Sequence, residues 1–501
     1  MKIAIKSPTI ARVVEASSDE LDVCRKALSY QDQSVRFLLT KHQGNRWFRQ
    51  KAPTEWEHRL RELQSQLRGS ALYRDKDGHW MRPGSLSYLP DSLSVEIVSD
   101  DRRRPKFNPV GWFNEPPFEP YGYQKEALQK LLAEGHGAVQ LATGLGKSHI
   151  ISMLAKEVGR GTVVTTPSVA IFNEMLSMFQ NLLGKSRVGA YGDGKKQIGK
   201  DFTVCVMKSL SLIEPGTNEW KFFSKANAVI SDEAHCNPSD SLEKAFHGLF
   251  ADVPYRFFLS GTQTRGDGSL PILKSINGPM LMDMSTEDGV KGGYLSPLRF
   301  FVVPVRSTNP SYNVKDANDM KRVHLLYNDN VIDIATRIAN EAAAKDEGTL
   351  ILVEEIEQLA RVAKKLNVPF AYAHGNTTKK DKLEKLGLTK VKVMDEIEKF
   401  NKGEVRVFIG TSCVSTGTNF YPTHNTINLQ GGASEIKTKQ GTIGRSARLL
   451  SKSKYKDFSP PKPYTKVWDF HIIGIDKMAA HLKKRVGFYR DTGCPIEKVT
   501  I

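Results

Sequence analysis

The amino-acid sequence predicts an α/β protein: two doubly wound parallel-sheet lobes in tandem, preceded by a small N-terminal α+β domain. Three observations carry that expectation. From about residue 120 onward, apolar runs the length of buried strands alternate with helical stretches. The alternation restarts near Arg299-Phe300-Phe301-Val302-Val303, which divides it into two sheets. The first strand–helix junction, Val139 to Ser148, holds a loop with two glycines.

Composition sets the outer bounds. The 501 residues suggest about three domains, and 40% hydrophobic with 25% charged residues is ordinary for a globular chain. The net charge of +17 favours a polyanionic partner. The charge is uneven: Lys437 to Arg490 holds 14 Lys/Arg against 3 Asp/Glu, which points to nucleic-acid contact or phosphate chemistry. The five cysteines are scattered without a C-x-x-C pair, so a zinc site or disulfide frame is not expected and a reducing, cytoplasmic setting is. The start Met-Lys-Ile-Ala-Ile-Lys lacks the apolar core of a signal peptide. No run approaches ~18 apolar residues, so no membrane span is expected.

In chain order, residues 1–113 read as the small α+β domain, with DNA binding as its expected task. Ile3-Ala4-Ile5 and Ala11 to Val14 alternate like strands. Ser17-Ser18-Asp19-Glu20 caps a helix running to about Tyr30. Trp56 to Leu67 has helical period, and Asp75 to Gly78 is a turn. Arg46-Trp47-Phe48-Arg49 reads as a half-buried strand, with a DNA-reading surface as the alternative. Pro105 to Pro120 reads as a linker. The first lobe is expected over 114–297, with strands at Ala138–Leu141, Thr162–Thr165, Phe202–Met207, Ala228–Ser231 and Arg256–Ser260. The second lobe is expected over 298–475, with strands near Arg299, Thr349–Val353, Phe370–Ala373, Val405–Ile409 and Thr465–Asp469. Residues 476–501 read as a C-terminal helical tail. Six lysines between Lys379 and Lys392 suit either a grip on a duplex arm or a solvated face, and Ser451 to Tyr464 reads as a surface loop.

The loop at the first junction has the chemistry of a triphosphate site. Thr143, Gly144 and Gly146 let successive backbone N–H groups turn inward and form an anion nest at a helix N-terminus. Lys147 adds a positive charge for the β- and γ-phosphates, and Ser148 a hydroxyl ligand for Mg²⁺. Leu141 stands where the G-x-x-x-x-G-K-[ST] pattern has its first glycine, a change the site tolerates if Leu141 is still strand. Downstream, Asp232 and Glu233 follow the apolar run Ala228-Val229-Ile230, at the strand end that abuts a phosphate loop in such sheets. Asp232 is placed to hold Mg²⁺, and Glu233 to orient and deprotonate the attacking water. In Gln440 to Arg448, a helix would stack Gln440, Gly444 and Arg448 on one face. Arg445 and Arg448 then suit an arginine-finger role at the γ-phosphate.

Taken in order, these segments resemble the motifs of superfamily 2 helicases: Tyr121-Gly122-Tyr123-Gln124, Leu141–Ser148, Thr165-Thr166-Pro167, Asp232-Glu233-Ala234-His235, Ser260-Gly261-Thr262, Thr411–Asn419 and Gln440–Arg448. The resemblance implies two RecA-like lobes, ATP with Mg²⁺ as cofactors, and nucleic acid bound across both lobes. It implies that Gln124 reads the adenine edge and that Phe118 or Tyr121 stacks on the base. Gly417 joins the nucleotide contacts. Thr166, Pro167, Lys208, Thr411 and Thr416 are implied contacts to the nucleic-acid backbone, and His235, Ser260 and Thr262 couple hydrolysis to movement. Ser260 to Gly268 is similar to the longer motif of DNA-acting members.

Closer still, the chain resembles the phage UvsW-type helicases, from the N-terminal domain to Val467-Trp468-Asp469 and Phe488-Tyr489-Arg490. That likeness implies an ATP-dependent DNA translocase that remodels forks and four-way junctions in phage replication, recombination or repair, in the host-cell cytoplasm. A monomer is expected, with replication or recombination proteins as possible partners. Two positions depart from the pattern: Val206-Met207-Lys208-Ser209 replaces the usual threonine contact, and Asn419 stands where Asp is common. An RNA helicase, the motor subunit of a restriction enzyme and an inactive nucleic-acid scaffold are the rivals. No P-D…[DE]-x-K nuclease constellation is present in the sequence, and the intact Lys147, Asp232, Glu233, Arg445 and Arg448 argue against the scaffold.

Overall fold

A computed structural model describes residues 1–31, 33–236, 239–262, 270–308, 316–375, 380–414 and 418–501. The chain divides into two compact units. One comprises Met1–Leu141 with Gly146–Asp283, the other Ala142–Leu145 with Met284–Ile501.

The first unit contains the N-terminal domain and an eight-stranded sheet. In spatial order its strands are Lys195–Gln197, Val188–Gly192, Phe202–Val206, Thr162–Thr166, Ala228–Asp232, Tyr255–Ser260, His136–Leu141 and Met280–Met284. The central strands run parallel and are buried on both faces, which is why they read as continuous apolar runs. Val188–Gly192 is buried too, but its glycines (Val-Gly-Ala-Tyr-Gly) weaken the strand signal and the sequence reading passed over it.

The N-terminal domain is a five-stranded sheet of Leu72–Asp75, Gly78–Met81, Ala11–Glu15, Lys2–Ile5 and Glu96–Asp100. Ser17 caps the helix Ser18–Ala27 through a capping box with Glu20. Tyr30 lies beyond that helix, in the short strand Ser29–Gln31. The segment Arg46–Lys51 corrects the strand expectation: it is a helix, and Trp47 is exposed. Asn45 caps it by accepting from the Phe48 N–H, and the short helix joins a three-helix module, where cap and packing override the alternating pattern.

Arg82 fastens the domain to the first lobe by donating to Glu243 at 2.7 Å and Ser275 at 3.1 Å. The Tyr88 hydroxyl donates to the carbonyl of Gly278. Gly84 lies so close to the Ser275 carbonyl that a Cβ there would sit 2.3 Å from it. The expected linker is a strap: Asn108, Val110 and Phe113 donate their backbone N–H groups to carbonyls of Val158, Lys156 and Leu182.

The second unit holds a seven-stranded sheet in the order Phe370–Ala373, Val407–Gly410, Gly348–Leu352, Thr423–Asn428, Thr465–Ile473, Leu298–Arg306 and Ile496–Lys498. All its pairings are parallel. Thr423–Asn428 (Thr-His-Asn-Thr-Ile-Asn) is fully buried although mostly polar. Its side chains are used: the Thr426 hydroxyl accepts from Ser446, Asn425 accepts from the Trp468 indole N–H, and His424 accepts from the Gly348 N–H. Hydrophobic periodicity cannot find such a strand.

The last 26 residues, 476–501, expected as a helical tail, hold the helix Asp476–Arg490 and then a strand paired with Phe300–Val302. A buried cluster locks that helix to the sheet. Arg485 donates to Asp469 from Nε at 2.7 Å and from a terminal nitrogen at 2.9 Å, and Tyr489 donates at 2.7 Å. Tyr489 also stacks on Phe300 at 4.3 Å. Removing one partner of a buried ion pair leaves the other charge uncompensated. Arg485→Met is therefore expected to cost the second unit about 3–5 kcal/mol, read as earlier urea unfolding and faster hydrogen exchange in Asp476–Arg490. Exchange unchanged there would contradict the assignment.

Candidate active site

The nucleotide loop begins where the sheet ends. Leu141 is buried and is the last residue of its strand, so the replaced glycine lies outside the turn. The turn itself needs left-handed backbone at Gly144 (φ +105°) and Gly146 (φ +76°), after which Lys147–Val158 is helical. Lys147 and Ser148 thus open a helix whose N–H groups point at the loop, the geometry of an anion site.

Lys147 reaches the acidic strand end: its ammonium lies 3.0 Å from Oε1 of Glu233. The other carboxylate oxygen of Glu233 accepts from the Ser260 hydroxyl at 2.9 Å and from the Gly261 N–H at 3.0 Å. His235 faces Ser260 through Nδ1 at 2.6 Å and Thr262 through Nε2 at 3.2 Å. The structure thus joins Lys147, Glu233, His235, Ser260 and Thr262 in one buried network. Glu233 has φ +48°, unusual for a side-chain-bearing residue, and strain of this kind concentrates at functional positions.

The two neighbouring carboxylates are pushed apart electrostatically. Burial and the charge of Glu233 raise the pKa of Asp232. Burial would also raise Glu233, but Lys147 and His235 outweigh it and hold Glu233 below the usual range. Asp232 Oδ1 is buried and has no hydrogen-bond partner. A buried carboxylate oxygen in that condition suits a divalent cation, which would hold Asp232 ionised.

The base-binding candidates are engaged within the protein. Phe118 stacks flat on His149 with ring centres 3.8 Å apart, and Tyr121 lies over Tyr123 at 5.7 Å. His149, two residues past Lys147, is a contact the sequence reading missed, because stacking partners leave no local pattern. Gln124 is buried, accepts from the Tyr121 N–H at 3.0 Å and lies against Gly146, where a Cβ would meet its amide nitrogen at 2.5 Å.

The nucleic-acid candidates are placed unequally. Lys208 is exposed on a single helical turn after Phe202–Val206. Thr166 is buried with its hydroxyl donating to the carbonyl of Cys205, which leaves Pro167 as the partly exposed member of that pair. In the second unit Thr411 lines a cavity of about 540 Å³ with Tyr327, Glu354, Glu355 and His374. Thr416, Gly417 and the Gln263–Gly268 part of the extended motif lie outside the described residues.

The arginine segment departs from the expected single α-helix. Lys437–Ile443 winds as a π-helix, Gly444–Ser446 is one α-turn, and Arg448 follows after the helix has ended. The wider π-turn breaks four-residue stacking, so Gln440, Gly444 and Arg448 do not share a continuous α-helical face. Arg445 is buried and donates to the Thr418 carbonyl, tying this segment to the Thr411–Asn419 motif. Lys462, unremarked in the sequence, donates to the carbonyls of Arg448 and Ser446, at 2.5 and 3.3 Å. Burial and the charge of Arg448 push its pKa down to about 7.

A phosphate loop, a paired acidic strand end and two parallel-sheet lobes define a nucleoside-triphosphate hydrolase of the RecA-like class. Two family descriptions match the chain: "Type III restriction enzyme, res subunit" over residues 117–265 and "Helicase conserved C-terminal domain" over 330–449. Over those residues the chain carries the two helicase domains, consistent with a superfamily 2 helicase similar to the UvsW type, and they support a nucleic-acid-dependent ATPase. It is 22% identical to "DNA 3'-5' translocase XPB2" of Sulfurisphaera tokodaii, over 66% of this chain and 78% of that protein. It is 22% identical to "ATP-dependent DNA helicase uvsW" of Enterobacteria phage T4, over 73% and 71%. Among solved structures, a fragment of a putative HsdR subunit of a type I restriction enzyme from Vibrio vulnificus YJ016 shares the fold. Its TM-score is 0.52, with 15% identity over 77% of this chain and 70% of that chain. S. cerevisiae Dbp5 bound to RNA and ADP BeF3 does so at TM-score 0.51, with 13% identity over 76% and 90%.

The Ser260 hydroxyl is the link between Glu233 and His235. Ser260→Ala removes a hydroxyl shared by Glu233 and His235 and leaves Lys147 in place. We expect it to keep ATP binding while strand displacement per ATP hydrolysed falls severalfold, in paired ATPase and displacement assays. An unchanged ratio would remove Ser260 from the coupling path.

Proposed function

We propose that this protein is an ATP-dependent DNA translocase that remodels branched DNA, forks and four-way junctions, in phage replication, recombination or repair. The observation that carries the motor reading is the buried network joining Lys147 and Glu233 to Ser260, His235 and Thr262. An ATP site used only for binding has no need of a catalytic carboxylate wired to a second motif. The DNA assignment draws support from the two relatives named for DNA, and from the Ser260–Gly268 sequence. We extend the 3′-to-5′ direction in the name of the Sulfurisphaera relative to this chain.

In the proposed cycle Lys147 and the loop N–H groups hold the phosphates, and Glu233 orients and deprotonates the attacking water. Ser148 and Asp232 would hold Mg²⁺, which neutralises phosphate charge when bound. Gln440, Arg445 and Arg448 are proposed to act on the triphosphate during turnover. Arg445 does so as the residue that holds the segment in shape, and Arg448 as the transition-state cation. Pro167, Lys208, Thr411 and Thr416 are the proposed contacts to the DNA backbone, with Thr166 serving to shape its turn. Backbone contacts of this kind make binding salt-dependent and largely blind to sequence.

A motor within a restriction system is the second reading, favoured by the family description over residues 117–265. Turnover measured with forked DNA, duplex DNA, single-stranded DNA and RNA separates the possibilities. Forked DNA is expected to stimulate most, and stimulation by RNA alone would overturn the proposal. Cleavage of duplex DNA by the purified chain would favour the restriction reading. Glu233→Gln is expected to bind ATP while hydrolysis falls about 10²–10⁴-fold, the usual contribution of a general base; wild-type turnover would remove Glu233 from that role.

A further inference from the structure

The strongest surface feature outside the nucleotide site is the three-helix module of the N-terminal domain: Gln33–Gly44, Arg46–Lys51 and Pro53–Gln66. Its interior is aromatic. His42 stacks on Trp56 at 5.2 Å, Phe48 meets His42 edge-on at 5.7 Å, and the Trp56 indole N–H donates to the carbonyl of His42. Two further aromatic rings take no part in that interior. Phe37 is 69% exposed and Trp47 66% exposed.

Along the segment that carries them the charge has one sign, whereas the third helix mixes Glu55, Glu57 and Glu62 with Arg59 and Arg61. Residues 33–51 contain Arg36, Lys41, Arg46, Arg49 and Lys51 and no Asp or Glu. Helical spacing puts Lys41 on the face of Phe37 and Lys51 on the face of Trp47, and the Lys51 ammonium lies 4.7 Å from the centre of the Trp47 ring. A protein-binding patch is usually depleted in lysine. Bare aromatic rings among cations suit a partner with flat faces and a polyanionic backbone.

The module is held firmly. Its stem is an antiparallel pair, Ser29–Gln31 with Arg68–Ser70, in which a Cβ on Gly69 would lie 2.3 Å from the Tyr30 ring. Tyr30 itself packs against the hydrophobic core of the first lobe.

We propose that this module is a stacking platform for unpaired nucleotides, with bases resting on Trp47 and Phe37 and backbone phosphates met by Arg36, Lys41, Arg46 and Lys51. Because its stem is set into the first lobe, the platform holds its strand fixed relative to the nucleotide-binding lobe. This deepens the DNA-motor reading by naming the form of DNA that the N-terminal domain takes.

The test uses the full chain with fluorescein-labelled oligo(dT) and an abasic strand of equal length, which offers phosphates without bases. The double variant Phe37→Ala/Trp47→Ala is expected to lose about tenfold or more in affinity for oligo(dT), the scale of base–aromatic stacking, with little change for the abasic strand. Trp47→Phe in the native background should retain most of the oligo(dT) affinity. Arg46→Ala/Lys51→Ala should weaken both strands and flatten the salt dependence. ATPase activity without nucleic acid, unchanged in every variant, checks folding. Equal loss on both strands, or no loss on either, overturns the stacking proposal and leaves the rings as a protein-docking surface. Failure of nucleic acid to stimulate wild-type turnover would instead defeat the motor reading, a separate measurement from binding.

Discussion

The ion pair between Lys147 and Glu233 is the interaction around which the rest of the site is arranged. It ties the start of the phosphate-loop helix to the end of the strand Ala228–Asp232. Both groups sit where water is scarce, so the pair is stable only because each partner has further company. Glu233 accepts from Ser260 and Gly261 on the neighbouring strand end, and His235 closes the circle. In the proposed cycle an incoming triphosphate competes with Glu233 for the lysine, and the carboxylate keeps its bonds from Ser260 and Gly261.

How much of this was legible in the sequence depends on the range of the interaction. The phosphate loop and the Asp-Glu strand end were readable because local chemistry fixes their spacing: a tight turn needs its glycines, and a helix start follows it. The buried apolar strands were readable for a similar reason, since burial on both faces dictates their composition. What failed were features decided by distant partners. Thr423–Asn428 is a central strand whose polar side chains are paid for by Ser446, Trp468 and Gly348. Phe118 spends its ring on His149, and Thr166 gives its hydroxyl to Cys205. Arg46–Lys51 looked like an alternating strand, yet an Asn cap and the packing of Trp56 with His42 make it helix.

The motif that the sequence treated as a uniform helix illustrates the same limit. Gln440 to Arg448 was read by α-helical spacing, which makes Arg445 and Arg448 interchangeable fingers. The π-helical turn and the early helix end give them different positions. Arg445 is occupied by the Thr418 carbonyl, and Lys462 props the backbone at Ser446 and Arg448. A guanidinium bonded to a backbone carbonyl must break that bond before it serves another anion, and its burial makes the exchange expensive. Arg448 is half-buried and lies beyond the last helical turn. Arg445 is thus a strut between two motifs.

The C-terminal helix extends that logic to the far side of the second sheet. Arg485, paired with Asp469, also donates to the carbonyl of Gly432, at the turn that leads from Thr423–Asn428 into the arginine segment. Asp469 belongs to the adjacent strand Thr465–Ile473, so one guanidinium joins the C-terminal helix, a central strand and the approach to Arg445. A buried charged triad with Tyr489 gives little net stability compared with an apolar cluster of similar size. What it adds is direction: carboxylate and guanidinium meet in a fixed fork geometry that methyl groups do not impose. The turn before the arginine segment is thus held at Gly432 by a guanidinium whose direction Asp469 fixes, and that guanidinium comes from more than fifty positions further along the chain.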